Sequence, residues 1–216
     1  MNTEQTWKKL VVAGAFMISL LATNTMASVS IIVDALNVNA HSTLPAPQTT
    51  LGLLVVDKTG DGFITGTLND GLAISIGSYW GGSTDDLIIG ADRISSTGTE
   101  GYLSIGLSNY TYPSGVTAGM KFGIVWLPDQ PSGNSSTLAP GWYGLFSDSA
   151  GTYSAAWVLP PDPTALSSYD MTTVSQGGSV PNSAGNANYQ IIPEPSTWLL
   201  VGSGLLGVVL IRRRKA

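Results

Sequence analysis

The chain has 216 residues, no cysteine, a single histidine and a formal net charge of −5. Without cysteine there is no disulfide framework, cysteine nucleophile, thiolate zinc site or iron–sulfur cluster, so the fold rests on packing alone. The acidic balance disfavours nucleic acid and anionic lipid as partners and suits bound divalent cations.

Lys8 and Lys9 precede an apolar run, Leu10 to Leu21, followed by the small-residue stretch Ala22 to Ala27. A charged start, a 12-residue apolar run and small residues before a cut describe a secretory signal peptide. Residues 1–27 are read as that signal, with cleavage between Ala27 and Ser28. The Sec machinery and signal peptidase are the partners this implies. The run is short for a permanent amino-terminal anchor.

The exported body then covers residues 28–192, a length that suits one domain with a real core. Its cations are Lys58, Arg93 and Lys121, set against twelve carboxylates, a net of −9. Short apolar runs recur between glycine- and proline-marked turns. The predicted strands are 51–56, 63–68, 73–76, 87–89, 102–107, 121–127, 141–146, 155–159, 170–174 and 188–192. The first two flank a glycine-rich turn and read as a hairpin. No helical period of useful length lies among them. The class expected is all-β, a single antiparallel β-sandwich or jelly-roll-like domain.

Asp57-Lys-Thr-Gly-Asp-Gly62 overlaps the calcium-loop pattern, with Asp57, Thr59, Asp61 and Gly62 at positions one, three, five and six. Such loops close with a bidentate acid at position twelve, which here is Leu68. The alternative is a turn in which Asp57 and Asp61 bond backbone amides and the glycines supply positive φ. The incomplete ligand set favours the turn, and no metal or other cofactor is expected. Asp85 and Asp86 are adjacent; on a strand they would face opposite sides, and only on a loop could they converge. Glu100 is the body's one glutamate, and a glycosidase needs two convergent carboxylates. His41 sits in a polar, proline-marked loop and reads as solvated. Trp126 and Trp142 lie inside predicted strands and read as core, whereas Tyr79 and Trp80 precede Gly-Gly and read as surface aromatics. No Gly-x-Ser-x-Gly elbow is present.

The chain closes with Pro193-Glu194-Pro195, an apolar run from Trp198 to Ile211, and Arg212, Arg213, Arg214 and Lys215. The 14 apolar residues make a helix of about 21 Å, short against a bilayer core of about 30 Å. With Ser196 and Thr197 extending it, a membrane helix is assigned to 197–211 and a basic stop to 212–215. The four cations keep the tail cytoplasmic and the body outside.

This ending resembles the PEP-CTERM sorting signal of exported bacterial proteins. The resemblance rests on Pro193-Glu194-Pro195, the short apolar helix and the basic terminus, and covers residues 193–216. It implies recognition by a membrane-embedded exosortase that removes the tail, in a Gram-negative type envelope often associated with polysaccharide secretion. A plain tail anchor with a stiff proline spacer is the alternative. Taken together, the expected protein is exported and non-enzymatic. It would be anchored in the inner membrane as a precursor with its carboxy terminus cytoplasmic, then sorted to the cell surface or extracellular matrix, with exopolysaccharide as a candidate partner. The rival reading is a carbohydrate-binding module or carbohydrate-active hydrolase.

Overall fold

The structure, a computed structural model, describes residues 28–41, 44–94, 99–161 and 166–194. The predicted signal peptide with Ala27, and Pro195, the 197–211 helix and the 212–215 tail, lie outside the described residues. Among those described, no helix is long and apolar enough to cross a membrane. Among the described residues the regular structure is mostly β-strand with almost no helix, in two sheets, one of them curled as a half-barrel.

The strands are β1 (Val29–Leu36), β2 (Leu51–Asp57), β3 (Leu68–Asn69), β4 (Asp86–Arg93), β5 (Tyr102–Tyr110), β6 (Lys121–Leu127), β7 (Gly141–Phe146), β8 (Ser167–Thr172) and β9 (Tyr189–Ile192). One sheet has the order β5-β1-β8, the other β3-β9-β7-β6-β2-β4. β1 is not among the strands predicted from sequence. Its signal is the alternation of Val29, Ile31, Val33 and Ala35, all buried, with half-buried residues between them. Period two of this kind marks a strand with one face in a core. Asn37, at φ 65°, ends it.

Two cores lie on opposite faces of the larger sheet. The first is shared between the sheets: β1, β5 and β8 supply Val33, Leu103, Ile105 and Met171, and the larger sheet supplies Leu54, Val56, Ile89, Ile124 and Trp126. Phe122, Phe146, Trp157 and Tyr169 form an aromatic group there, with Phe122 and Tyr169 edge-on at 4.7 Å. The second core takes the alternate residues, Leu51, Leu53, Val55, Ile88, Val125 and Leu127, together with Leu68, Ile74, Trp80, Leu138, Tyr143 and Ile191. β2 is therefore buried at all seven positions. A strand buried on both faces reads as a continuous apolar run, as Leu51-Gly-Leu-Leu-Val-Val does.

The 51–56/63–68 hairpin does not form. β2 has β4 on one side and β6 on the other, which leaves no edge for residues 63–68 to pair with. That segment instead crosses the sheet's second face, where Phe63, Ile64 and Leu72 pack half-buried against the core. The 73–76 and 155–159 stretches reduce to isolated bridges, Ala73 with Thr137 and Val158 with Lys121. Just after the first, the Ser78 hydroxyl donates to the Ser75 carbonyl at 2.6 Å, with the Ala73 carbonyl also within reach at 3.1 Å. β8 begins at Ser167 rather than at 170, in register with Ile31 of β1.

The antiparallel expectation holds for five of the seven pairings and fails for β1–β8 and β3–β9, which are parallel. Antiparallel direction is imposed by short turns. Most of the chain lies between the partners of both parallel pairs, so no turn sets their direction.

Gly144 faces Trp126 across β6 and β7, and a Cβ there would lie 2.0 Å from the indole ring. Trp126 cannot withdraw, because it is fully buried and its indole N–H donates to the Asn39 carbonyl at 2.9 Å. Gly144→Ala is expected to cost about 1–3 kcal/mol through overpacking. A urea melt indistinguishable from the parent would show that this packing has slack.

Candidate functional site

The β2–β4 register sets Asp57, the last residue of β2, opposite Asp86, the first of β4. Between them the chain makes its excursion over the second core and returns through Ser83. The Ser83 hydroxyl accepts the Asp86 amide at 2.8 Å and the Asp85 amide at 3.4 Å. One carboxylate oxygen from each of Asp57, Asp85 and Asp86 lies within 4.8 Å of the other two. Asp57 and Asp86 are each 1% exposed, and Asp85 is half-buried. Asp85 precedes the strand, so the alternation that would separate neighbours does not apply to it.

Asp57 is wrapped by its own turn. Its Oδ1 accepts the amides of Thr59 at 3.1 Å and Gly60 at 2.6 Å, and its Oδ2 accepts that of Gly62 at 2.9 Å. Gly60 and Gly62 sit at φ +81° and +107°, values that side chains rarely take, so the Thr-Gly-Asp-Gly sequence is what lets the backbone fold around the carboxylate. The turn predicted from sequence is present at Asp57. Asp61 does not bond an amide; its Oδ1 accepts the Thr59 hydroxyl at 2.8 Å. The same hydroxyl is in hydrogen-bond contact with Asp85 Oδ2. One hydroxyl proton serves one acceptor at a time, so the two acids share a single donor.

Asp86 is less well provided. Its Oδ2 accepts the Ile64 amide at 2.8 Å, while its Oδ1 is buried with no hydrogen-bond partner. Burial pushes its pKa up from 3.8 to about 6; the Ile64 amide pulls it back, and the charges of Asp85, Asp57 and Asp61 push it further up. The nearby cations are engaged elsewhere. The Lys58 ammonium lies 5.7 Å from the centre of the Tyr79 ring, and Lys121 Nζ donates to the Gly60 carbonyl at 3.3 Å. Neither makes an ion pair with these carboxylates.

The remaining sequence candidates are dispersed. Leu68, at the calcium pattern's twelfth position, is buried in the second core. Glu100 is exposed and lines a hollow with Leu36, Asn37, Thr99, Gly101, Tyr102 and Gln176, in which it is the one carboxylate among the described residues. His41 stacks on Trp142 at 3.7 Å between ring centres, leaving Trp142 half-buried rather than in the core. Trp80 is fully buried, contrary to the surface reading, and donates to the Ile64 carbonyl at 3.2 Å; Tyr79 is exposed as expected.

The start of the sorting motif is also tied down. Asp70, just after β3, donates its amide to the Ile192 carbonyl at 2.9 Å and accepts the Glu194 amide on Oδ1 at 2.9 Å. Pro193 and Glu194 therefore leave the sheet beside Asp70, directly after β9.

The family model for the PEP-CTERM protein-sorting motif matches residues 192–215. No curated protein and no solved structure matches the chain. The motif defines the class: an exported protein sorted to the cell surface through an exosortase. This chain carries the PEP-CTERM sorting motif on a β-rich body, the match beginning at the final residue of β9.

Asp86→Asn keeps an oxygen for the Ile64 amide and removes a charge that its neighbours repel. With the folded pKa raised above 3.8, the Asp86 contribution is fully favourable below 3.8 and is lost as pH rises through about 6. In metal-free buffer at pH 7 the variant is expected to be more stable than the parent by about 1–3 kcal/mol. Urea unfolding should show that gap closing as pH falls from 7 towards 5. Equal stability at pH 7 would mean that the Asp86 charge, buried among acidic neighbours, carries no net cost.

Proposed function

We propose that the chain is a non-enzymatic surface protein, made as a membrane-held precursor and released by exosortase into the envelope or extracellular matrix. The observation that carries this reading is the 192–215 motif match starting at the end of the last strand. The body is read as one β-sandwich over residues 28–192, with sheets sharing the first core. The precursor enters the Sec pathway on residues 1–27 and is held by the 197–211 helix, with Arg212, Arg213, Arg214 and Lys215 on the cytoplasmic side. A span about a third shorter than the bilayer core makes a poor permanent anchor and a good temporary one. Pro193 and Pro195 disfavour helix and keep the backbone extended where a protease must act.

Several acids of the body have structural uses, which favours a scaffold over a hydrolase. Asp148 accepts the amides of Thr152, Tyr153 and Ser154, and Asp129 accepts that of Trp142. An exopolysaccharide remains the natural partner for a matrix protein of this kind.

Intact-mass measurement of protein extracted from the native cell surface is expected to show a carboxy terminus between Pro193 and Thr197. Replacing Pro193-Glu194-Pro195 with alanines should leave the tail on, in the inner membrane. Mature protein that retains Arg214 alongside an active exosortase would replace this reading with a plain tail anchor. Turnover of a polysaccharide by the purified chain, abolished in Glu100→Gln, would overturn the non-enzymatic assignment.

A further inference from the structure

We propose that Asp57, Asp85 and Asp86, with Thr59 and Asp61 beside them, form a calcium site. The sequence pattern supplies the first half of a calcium loop and then fails at position twelve, where Leu68 is buried in the core. The structure supplies the missing acids from a different element. The register of β2 with β4 brings Asp86 opposite Asp57, and Ser83 turns Asp85 in beside it.

The observation that points to a ligand is Asp86 Oδ1, a carboxylate oxygen on a residue 1% exposed, with no hydrogen-bond partner. Burying an acceptor in this state is costly unless something occupies it. Its carboxylate belongs to the group of three whose oxygens lie within 4.8 Å of one another. Two oxygens bound to one calcium at about 2.4 Å are at most about 4.8 Å apart, a limit that every pair of these three residues meets. Magnesium, at about 2.1 Å, would need them within about 4.2 Å and in octahedral order. The donors are hard oxygens, with no imidazole or thiolate to favour a transition metal. Thr59 and Asp61 complete the picture: Asp61 and Asp85 compete for one hydroxyl proton, and a cation beside them would end the competition. Neither Lys58 nor Lys121 supplies the positive charge.

The test uses the full-length chain in detergent, stripped with chelator and then melted with calcium, with magnesium, or with chelator retained. Calcium at about 5 mM is expected to raise Tm by about 5 °C or more, since a ligand bound by the folded state alone shifts unfolding in this direction. Calorimetric titration should give one site per chain. Asp86→Asn and Asp85→Asn should both melt cooperatively in chelator, which shows that they fold, and should both lose the calcium response. A parent Tm unmoved by calcium, or a response that persists in both variants, would overturn the site. A rise of equal size with magnesium would overturn the calcium assignment.

Discussion

Every residue of β2 from Leu51 to Asp57 is buried, and successive side chains enter two different cores. A strand in that position obliges the chain to cover both faces of its sheet. The three-stranded sheet covers one. The other is covered by an irregular excursion between β2 and β4, which lays Leu68, Ile74 and Trp80 over Leu53, Val55 and Ile88. The excursion's polar requirements are met locally: Trp80 donates to Ile64, Tyr143 donates to Gly66, and Trp80 and Tyr143 meet edge-on at 5.1 Å. Because β2 and β4 are neighbours, the excursion has to return where it left. The acids at its two mouths, Asp57 on departure and Asp85 and Asp86 on return, are thereby brought together. The carboxylate cluster is thus a product of the same constraint that organises the core.

Asp148 shows what a buried acid looks like when the backbone alone satisfies it. It is 4% exposed, and burial by itself would push its pKa up. The amides of Tyr153, Ser154 and Thr152 outweigh that cost and hold it below the ordinary carboxylate value. Asp86 shifts the opposite way: burial raises it most, a single amide pulls it back, and three acidic neighbours push it further up. Depth and donor count act together: three amides converge on Asp148, and a lone amide leaves half of the more deeply set Asp86 carboxylate bare.

Strand content was legible in the sequence because alternation and turn residues are local signals. Leu51–Val56, Lys121–Leu127 and Gly141–Phe146 fall within one residue of their predicted bounds. Pairing was not legible. Nothing local states that β2 is already flanked on both sides, so the Thr-Gly-Asp-Gly turn resembles a hairpin although its second arm has no edge to join. Trp80 was misread for a related reason. Its Gly-Gly neighbours signal a turn, but a turn laid over a sheet face can bury its largest side chain. At the acid cluster, Asp57, Thr59 and Asp61 were recognisable as a partial pattern. Asp85 and Asp86 belong with them through a β-ladder register, which no spacing rule connects to the loop. The sorting motif was fully legible, since its parts lie side by side in the chain.

The place of β9 has a consequence for the order of events during export. It lies between β3 and β7, inside the larger sheet, yet it is the last strand of the described residues to emerge. Until Ile192 has crossed, β7 ends in a row of unpaired amides and carbonyls and β3 has no partner, a state prone to pairing with other chains. Pro193 and Glu194 follow at once, stitched to Asp70 beside the finished strand. The sheet therefore closes only once the residue that opens the sorting motif is in place. Whatever acts on that motif meets a body whose sticky edge has already gone.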